Sequence, residues 1–281
     1  MEPVWYPNLE DARATRLYRF MEALGFEDYG AFYRYSVEEA EDFYHQFFAH
    51  LGLPWRHPYA RVMEGGFPFP RFFVGGRLNL VEACLRHDPQ RTALLHETED
   101  GQVRALSYGE LRAEVARVAA GLKALGVKRG DRVGLWMPMG LEAAVLLLAT
   151  AWLGALAIPI FSGYAAEAAS VRLKDAGARL LAAQDGFLRR GRKVALLPEA
   201  RKARELSGTE GLLVVRRLGL PLEAGEADYQ DLSGEASSPE EMESMDLHAH
   251  LHLRHHGPPQ GHGPLPRGLP PEGRLGPRPP L

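Results

Sequence analysis

The stretch SYGELRAEVARVAAGLKALGVKRGDRVGLWMP, residues 107–138, decides the architecture. Ser107 and Glu110 stand in the S-x-x-E order of a capping box, in which each side chain satisfies a backbone N–H that a helix start leaves free. Behind them Leu111, Val115, Val118, Leu122 and Leu125 recur at spacings of four, three, four and three, which is one apolar face of a helix. Gly126 closes that helix, because glycine takes the left-handed conformation of a cap without steric cost. Arg129–Asp131 then read as a turn, and Val133–Met137 as an apolar strand. A strand with no polar alternation is covered on both faces.

The same grammar continues on either side. Toward the C-terminus come a buried helix to Leu153, a turn at Gly154, a short strand ALAIPI, a helix over 165–176 and a strand ARLLAA. Upstream, TALLHE and VRALSY flank Asp100 and Gly101 as a hairpin, and LNLVEACLRH reads as a short amphipathic helix. Helices alternating with continuous apolar strands predict an α/β fold, a mainly parallel sheet flanked by helices. Residues 141–161 are long enough to be weighed as a membrane span. Glu142 lies inside that run, and Gly154 and Pro159 break it, so no membrane span is expected.

Residues from Trp5 to about Arg71 are aromatic-rich and helical in pattern. Leu17, Phe20, Met21 and Leu24 form one stripe; Val37, Ala40, Phe43, Tyr44, Phe47 and Leu51 form another. Both are expected to pack as core. Pro and Gly between Pro54 and Pro70 mark a loop, and GGRLN at 75–79 a structural turn. Residues 224–243 are acidic and poor in apolar side chains, a linker-like composition.

Bulk properties narrow the function. The chain has 281 residues, 46% of them hydrophobic, enough for one large domain or two ordinary ones. A net charge of −3 gives no electrostatic footprint for nucleic acid. Cys84 is the sole cysteine, so no disulfide can form within the chain and a reducing, cytoplasmic setting is expected. The start, MEPVWYPNLEDARA, has neither the basic nor the apolar region of a signal peptide.

The run from ALLHETEDGQ through SYGELRAEV, LGVKRGDRV, the strand ending in MP and LLATAWLGALAIPIFSG resembles the early large domain of AMP-forming acyl-CoA synthetases. FFVGGRLNLVEACLRH and the Trp5-x-Pro7 start are similar to the acetyl-CoA synthetase branch of these adenylate-forming enzymes, with its helical N-terminal segment. The resemblance covers roughly residues 5–222. It divides the chain into a helical segment (1–75), the first part of the AMP-binding large domain (76–223), a linker (224–245) and a tail (246–281). It implies a two-step ligation: a small-molecule carboxylate and ATP give an acyl-adenylate and pyrophosphate, and coenzyme A then takes the acyl group. ATP, Mg2+ and coenzyme A are the expected cofactors.

Three residues are candidates for binding coenzyme A. QDGFLRRGRKV matches the stretch where this branch meets the 3'-phosphate, with Arg189 and Arg192 at the basic positions. An arginine fork suits phosphate. Spacing alone reads the same stretch as a solvated basic loop, with Arg190, Lys193, Arg201 and Lys202 nearby. Gly163 matches a glycine at which backbone lies close to coenzyme A; Ser162 stands where the family often has another glycine. No catalytic, ATP-binding or metal-binding residue is identified.

The family's phosphate loop, near YTSGTTGxPKG, is expected next, and in its place stands DLHAHLHLRHHGPPQGHGPLPRG from Asp246 on. Codons exist for this tail that, read one base later, give TSTLIYTSGTTGPPKG. The agreement at first and second bases runs through the whole motif. The tail, from about Met245, therefore reads as out-of-frame translation and is expected to be disordered, given its Pro and Gly content. On that reading the chain is the N-terminal piece of a synthetase and is inactive alone. The alternative is a non-catalytic remnant whose histidine-rich tail binds metal fortuitously.

Overall fold

A computed structural model describes residues 8–65, 70–234, 238–240 and 242–243. The tail from Asp246, its histidines and the expected disorder lie outside the described residues.

The N-terminal segment folds as helices α1 (Leu9–Ala14), α2 (Arg16–Ala23), α3 (Tyr29–Glu38) and α4 (Ala40–Leu51). Asn8, Thr15 and Asp28 cap the first three, each side chain accepting a backbone N–H of the first turn. Phe20 and Phe32 are buried and meet edge to face, with Phe43 and Phe47 closing the cluster. The stripe read over 37–51 is interrupted: α3 ends at Glu38 and Glu39 leaves helical geometry before α4 begins. Val37 consequently falls on the exposed side, while Phe43 and Phe47 keep the inner one.

Strands β1 (Arg61–Glu64) and β2 (Arg71–Val74) pair antiparallel, and a short β3 (Arg77–Leu78) leads into α5 (Leu80–Leu85). Then come the hairpin β4 (Thr92–Glu97) and β5 (Val103–Ser107) and helix α6 (Tyr108–Ala124). The capping box is present at Ser107 and Glu110. Leu111, Val115, Val118 and Leu122 are buried as the spacing predicts, whereas Leu125 sits at the cap and is exposed.

The remaining elements alternate: β6 (Arg132–Trp136), α7 (Leu141–Trp152), β7 (Leu156–Ile160), α8 (Ala166–Ala176) and β8 (Leu180–Gln184). A hairpin of β9 (Gly186–Arg189) and β10 (Arg192–Ala195) follows, then α9 (Leu197–Ser207), β11 (Gly211–Val215), β12 (Glu226–Asp228) and β13 (Met242–Glu243). Five strands form one parallel sheet in the order β12-β11-β8-β6-β7. Side chains alternate across it. Val133, Leu135, Leu180, Ala182, Leu213 and Val215 pack with α5, α6 and α7; Trp136, Leu181, Ala183, Leu212 and Val214 pack with α8 and α9. Both faces are thus covered, which is why the central strands β6, β8 and β11 are largely apolar.

The segment with linker-like composition carries structure. Glu226–Asp228 extend the sheet beside β11, and Tyr229 and Leu232 bury against the α6 side. Two of its acids, Glu226 and Asp228, are not solvated as composition suggests. Glu226 is gripped by both arms of Arg201 at 2.7 and 2.9 Å, and Asp228 pairs with Arg216 at 3.0 Å. β13 then pairs with β3. Among the described residues no helix is long and apolar enough to cross a membrane.

Candidate functional site

Strand order locates the site. From β6 the chain moves outward to β7, then crosses back over β6 to β8 and continues to β11 and β12. The order reverses between β6 and β8, and in open parallel sheets ligands lodge at the carboxyl ends of the strands beside such a switch point. A cavity of about 520 Å³ lies there, lined by His96, Met139, Glu142, Phe187, Lys193 and Arg217 among others. Its rim is two hairpins, β4–β5 and β9–β10.

The β9–β10 hairpin carries the two candidate arginines. Its turn is Arg190-Gly191, and both residues have positive φ, 52° and 72°. A two-residue turn of this kind matches the twist of the flanking strands but needs left-handed backbone at both central positions. Gly191 takes it freely; Arg190 does so against the steric preference of an L-residue. Arg189 and Arg192 close the turn as a directly opposed pair. Both are exposed, and neither guanidinium has a partner among the described residues. Like charges directly opposite one another destabilise a hairpin, so the pair works against the stability of its own turn. Arg201, grouped with these arginines by sequence alone, is committed to Glu226 instead.

Gly163 lies just past β7, on the same carboxyl edge but with β6 between it and β8. A Cβ there would stand 2.6 Å from the Phe161 ring. The glycine therefore lets backbone pass the exposed Phe161. The structure brings Arg189 and Arg192 together, and sets Gly163 apart from them on the shared edge.

Two residues that sequence reading missed hold the hairpin. Asp185, between β8 and β9, is fully buried. Its carboxylate accepts the backbone N–H groups of Arg217 at 2.7 Å, Leu218 at 3.0 Å and Leu220 at 3.0 Å. Its carbonyl accepts from Leu196 and Leu197, which begin α9. The available signal was an acid directly after the apolar strand and before Gly186. Glu99, in the β4–β5 turn, accepts the Gly191 N–H at 2.8 Å and so ties one hairpin tip to the other.

The floor of the cavity holds an organised charge. Burial pushes the Glu142 carboxyl up, but the Arg104 guanidinium at 2.8 Å, a backbone N–H and nearby Arg217 outweigh it and leave the group below its ordinary value. Glu142 therefore stays ionised near neutrality. The Nδ1 atom of His96 is buried without a hydrogen-bond partner among the described residues. Among those residues no group of three or more His, Cys, Asp or Glu is placed to hold a metal ion.

Comparison with known proteins finds relatives of the chain. Residues 81–251 match the AMP-binding enzyme family, and residues 29–84 match the acetyl-coenzyme A synthetase N-terminus. The first match ends a few residues beyond Met245. The acetyl-coenzyme A synthetase of Deinococcus radiodurans is 37% identical over 226 residues, which cover 78% of this chain and 33% of that protein. That of Thiobacillus denitrificans is 39% identical over 203 residues, 69% of this chain and 31% of the relative. The acetoacetyl-CoA synthetase from Streptomyces lividans superposes with a TM-score of 0.80 at 28% identity, over 86% of this chain and 40% of that one. The chain thus spans about a third of the length of these two curated relatives.

Proposed function

The chain belongs to the AMP-binding enzyme family, and on that premise we propose that it is the N-terminal part of an ATP-dependent acyl-CoA synthetase of the acetyl-CoA type. In the full reaction a carboxylate oxygen attacks the α-phosphorus of ATP and pyrophosphate leaves. The thiol sulfur of coenzyme A then attacks the acyl carbon of the adenylate and AMP leaves. We assign residues 1–75 to the helical N-terminal segment and 76–223 to the first part of the large domain. β12 and Tyr229 complete the core of that part. The protein is read as cytoplasmic.

This part of the enzyme contributes a coenzyme A contact rather than the chemical step. The observation that carries the reading is the opposed, unpaired Arg189–Arg192 couple on the carboxyl edge of a sheet at its switch point. Two guanidinium forks across one tight turn present donors to a single phosphate from two sides, a charge-assisted arrangement. We assign them to the 3'-phosphate of coenzyme A, with Gly163 allowing close passage of the rest of the molecule. Mg2+ would travel with the ATP phosphates; no acidic cluster among the described residues is placed to hold it.

Coenzyme A and dephospho-coenzyme A, which lacks only that phosphate, test the assignment. By titration calorimetry the double variant Arg189→Ala, Arg192→Ala is expected to weaken coenzyme A binding on the order of tenfold or more. Dephospho-coenzyme A should bind it as it binds the parent. Equal loss for both ligands, or none, would sink the assignment.

We further propose that the reading frame shifts near Met245 and that the phosphate loop is encoded one base later. The chain as it stands is then expected to release no pyrophosphate from ATP and acetate. Restoring the frame should bring that activity in. Release by the unaltered chain, or a stop codon soon after the shift, would contradict the proposal.

A further inference from the structure

The arginine pair depends on a turn that its own sequence does not hold well. Arg190 occupies left-handed backbone, and Arg189 and Arg192 repel across the turn. In such a turn the strand pairing uses the N–H and C=O of Arg189 and Arg192, and leaves the Gly191 N–H outside the ladder. That spare donor is taken up from 92 residues away by the Glu99 carboxylate at 2.8 Å.

Glu99 is itself held. The turn that carries it is closed by hydrogen bonds from Thr98 N–H to Gln102 O and from Gly101 N–H to Thr98 O, each 2.9 Å. The Thr98 hydroxyl accepts from Gln102 N–H at 3.1 Å and donates to Asp100. Glu99 is thus the one acid of this tip that reaches across to the other hairpin, while Asp100 serves its own turn. No side-chain partner of Glu99 is recorded among the described residues, so its charge is spent on the backbone rather than on either arginine.

We infer that Glu99 is a positioning residue for the coenzyme site: its carboxylate fixes the Arg190-Gly191 turn so that Arg189 and Arg192 converge on one phosphate. The inference rests on the assignment of that pair to the coenzyme A 3'-phosphate.

The experiment compares Glu99→Ala and Glu99→Gln in the full chain, with coenzyme A and dephospho-coenzyme A as ligands. Glu99 is exposed, so neither variant removes core packing. For Glu99→Ala we expect coenzyme A to bind about fivefold more weakly, with dephospho-coenzyme A unchanged. Glu99→Gln keeps an acceptor oxygen and should stay within about twofold of the parent. Exchange of the Gly191 amide with deuterium should quicken in the alanine variant alone. The inference is overturned if Glu99→Ala binds coenzyme A as well as the parent or better, if glutamine falls as far as alanine, or if both ligands weaken together. Failure of the underlying assignment has a different signature: the double arginine variant would not change the preference for coenzyme A, while the Gly191 amide would still respond to Glu99.

Discussion

Asp185→Ala is expected to remove several kcal/mol of folding stability, the largest loss from any single side chain around the site. The side chain is fully buried and its oxygens receive three backbone N–H groups, from Arg217, Leu218 and Leu220. Alanine has no acceptor for any of the three. An orphaned buried donor costs about 1–3 kcal/mol, so three give roughly 3–9 kcal/mol, against a total stability of about 5–15 kcal/mol for a domain. Asp185→Asn retains one acceptor oxygen and turns an N–H toward the remaining donors, so its loss should fall between parent and alanine. Urea unfolding followed by tryptophan fluorescence measures both. An alanine variant within about 1 kcal/mol of the parent would show that the loop at 217–220 satisfies itself. The functional consequence follows from place: the side chain ties the loop at 217–220 to the junction of β8 and β9, so the arginine hairpin loses that brace, while the Asp185 carbonyl keeps the Leu196 and Leu197 N–H groups in either variant.

The contrast between Asp185 and Ser107 explains what the sequence disclosed. Ser107 acts three residues away, on Glu110, and its pattern is readable by eye. So are the apolar runs of β6, β8 and β11, because double burial leaves no polar alternation. Asp185 acts across 32 to 35 residues and Glu99 across 92, so nothing local marks either. Strand order was hidden for the same reason, since pairing of β8 with β6 rather than β7 joins segments far apart in the chain. The arginine pair was visible as a basic cluster, but sequence could not separate Arg189 and Arg192, which face each other unpaired, from Arg201, which is consumed by Glu226. Residues 226–232 read as linker because a three-residue strand followed by two buried side chains, Tyr229 and Leu232, has too little periodicity to register.

Asn79→Ala should cost about 3–5 kcal/mol, and the form of the loss distinguishes hydrogen bonding from packing. The chain has two asparagines, Asn8 and Asn79, and both cap helices. Asn79 does more than cap. It is fully buried; its Oδ1 accepts the Val81 N–H at 2.9 Å, while its Nδ2 donates to Ala151 O at 2.9 Å and Glu240 O at 2.8 Å. One side chain therefore joins the start of α5, the end of α7 and the segment that leads into β13. Alanine forfeits a cap worth about 1 kcal/mol, a bond worth about 1 kcal/mol to Ala151 O, which keeps the Gly154 N–H at 3.0 Å, and the side-chain partner of the part-buried Glu240 carbonyl at about 1–3 kcal/mol. Asn79→Asp preserves the volume and the cap but points an oxygen at those two carbonyls, so it should be at least as damaging as alanine although nothing has been emptied. A packing role predicts the reverse, with aspartate close to the parent. Hydrogen exchange adds a spatial test: the Glu240 amide, which donates to Trp152 O at 2.8 Å, should lose protection in both variants, while amides of β11 in the middle of the sheet keep theirs at low denaturant. Uniform loss of protection would mean that Asn79 stabilises the whole sheet rather than the junction. A local loss would make it the tie that holds the strand at 242–243 against β3, immediately before the point where the family's phosphate loop is due.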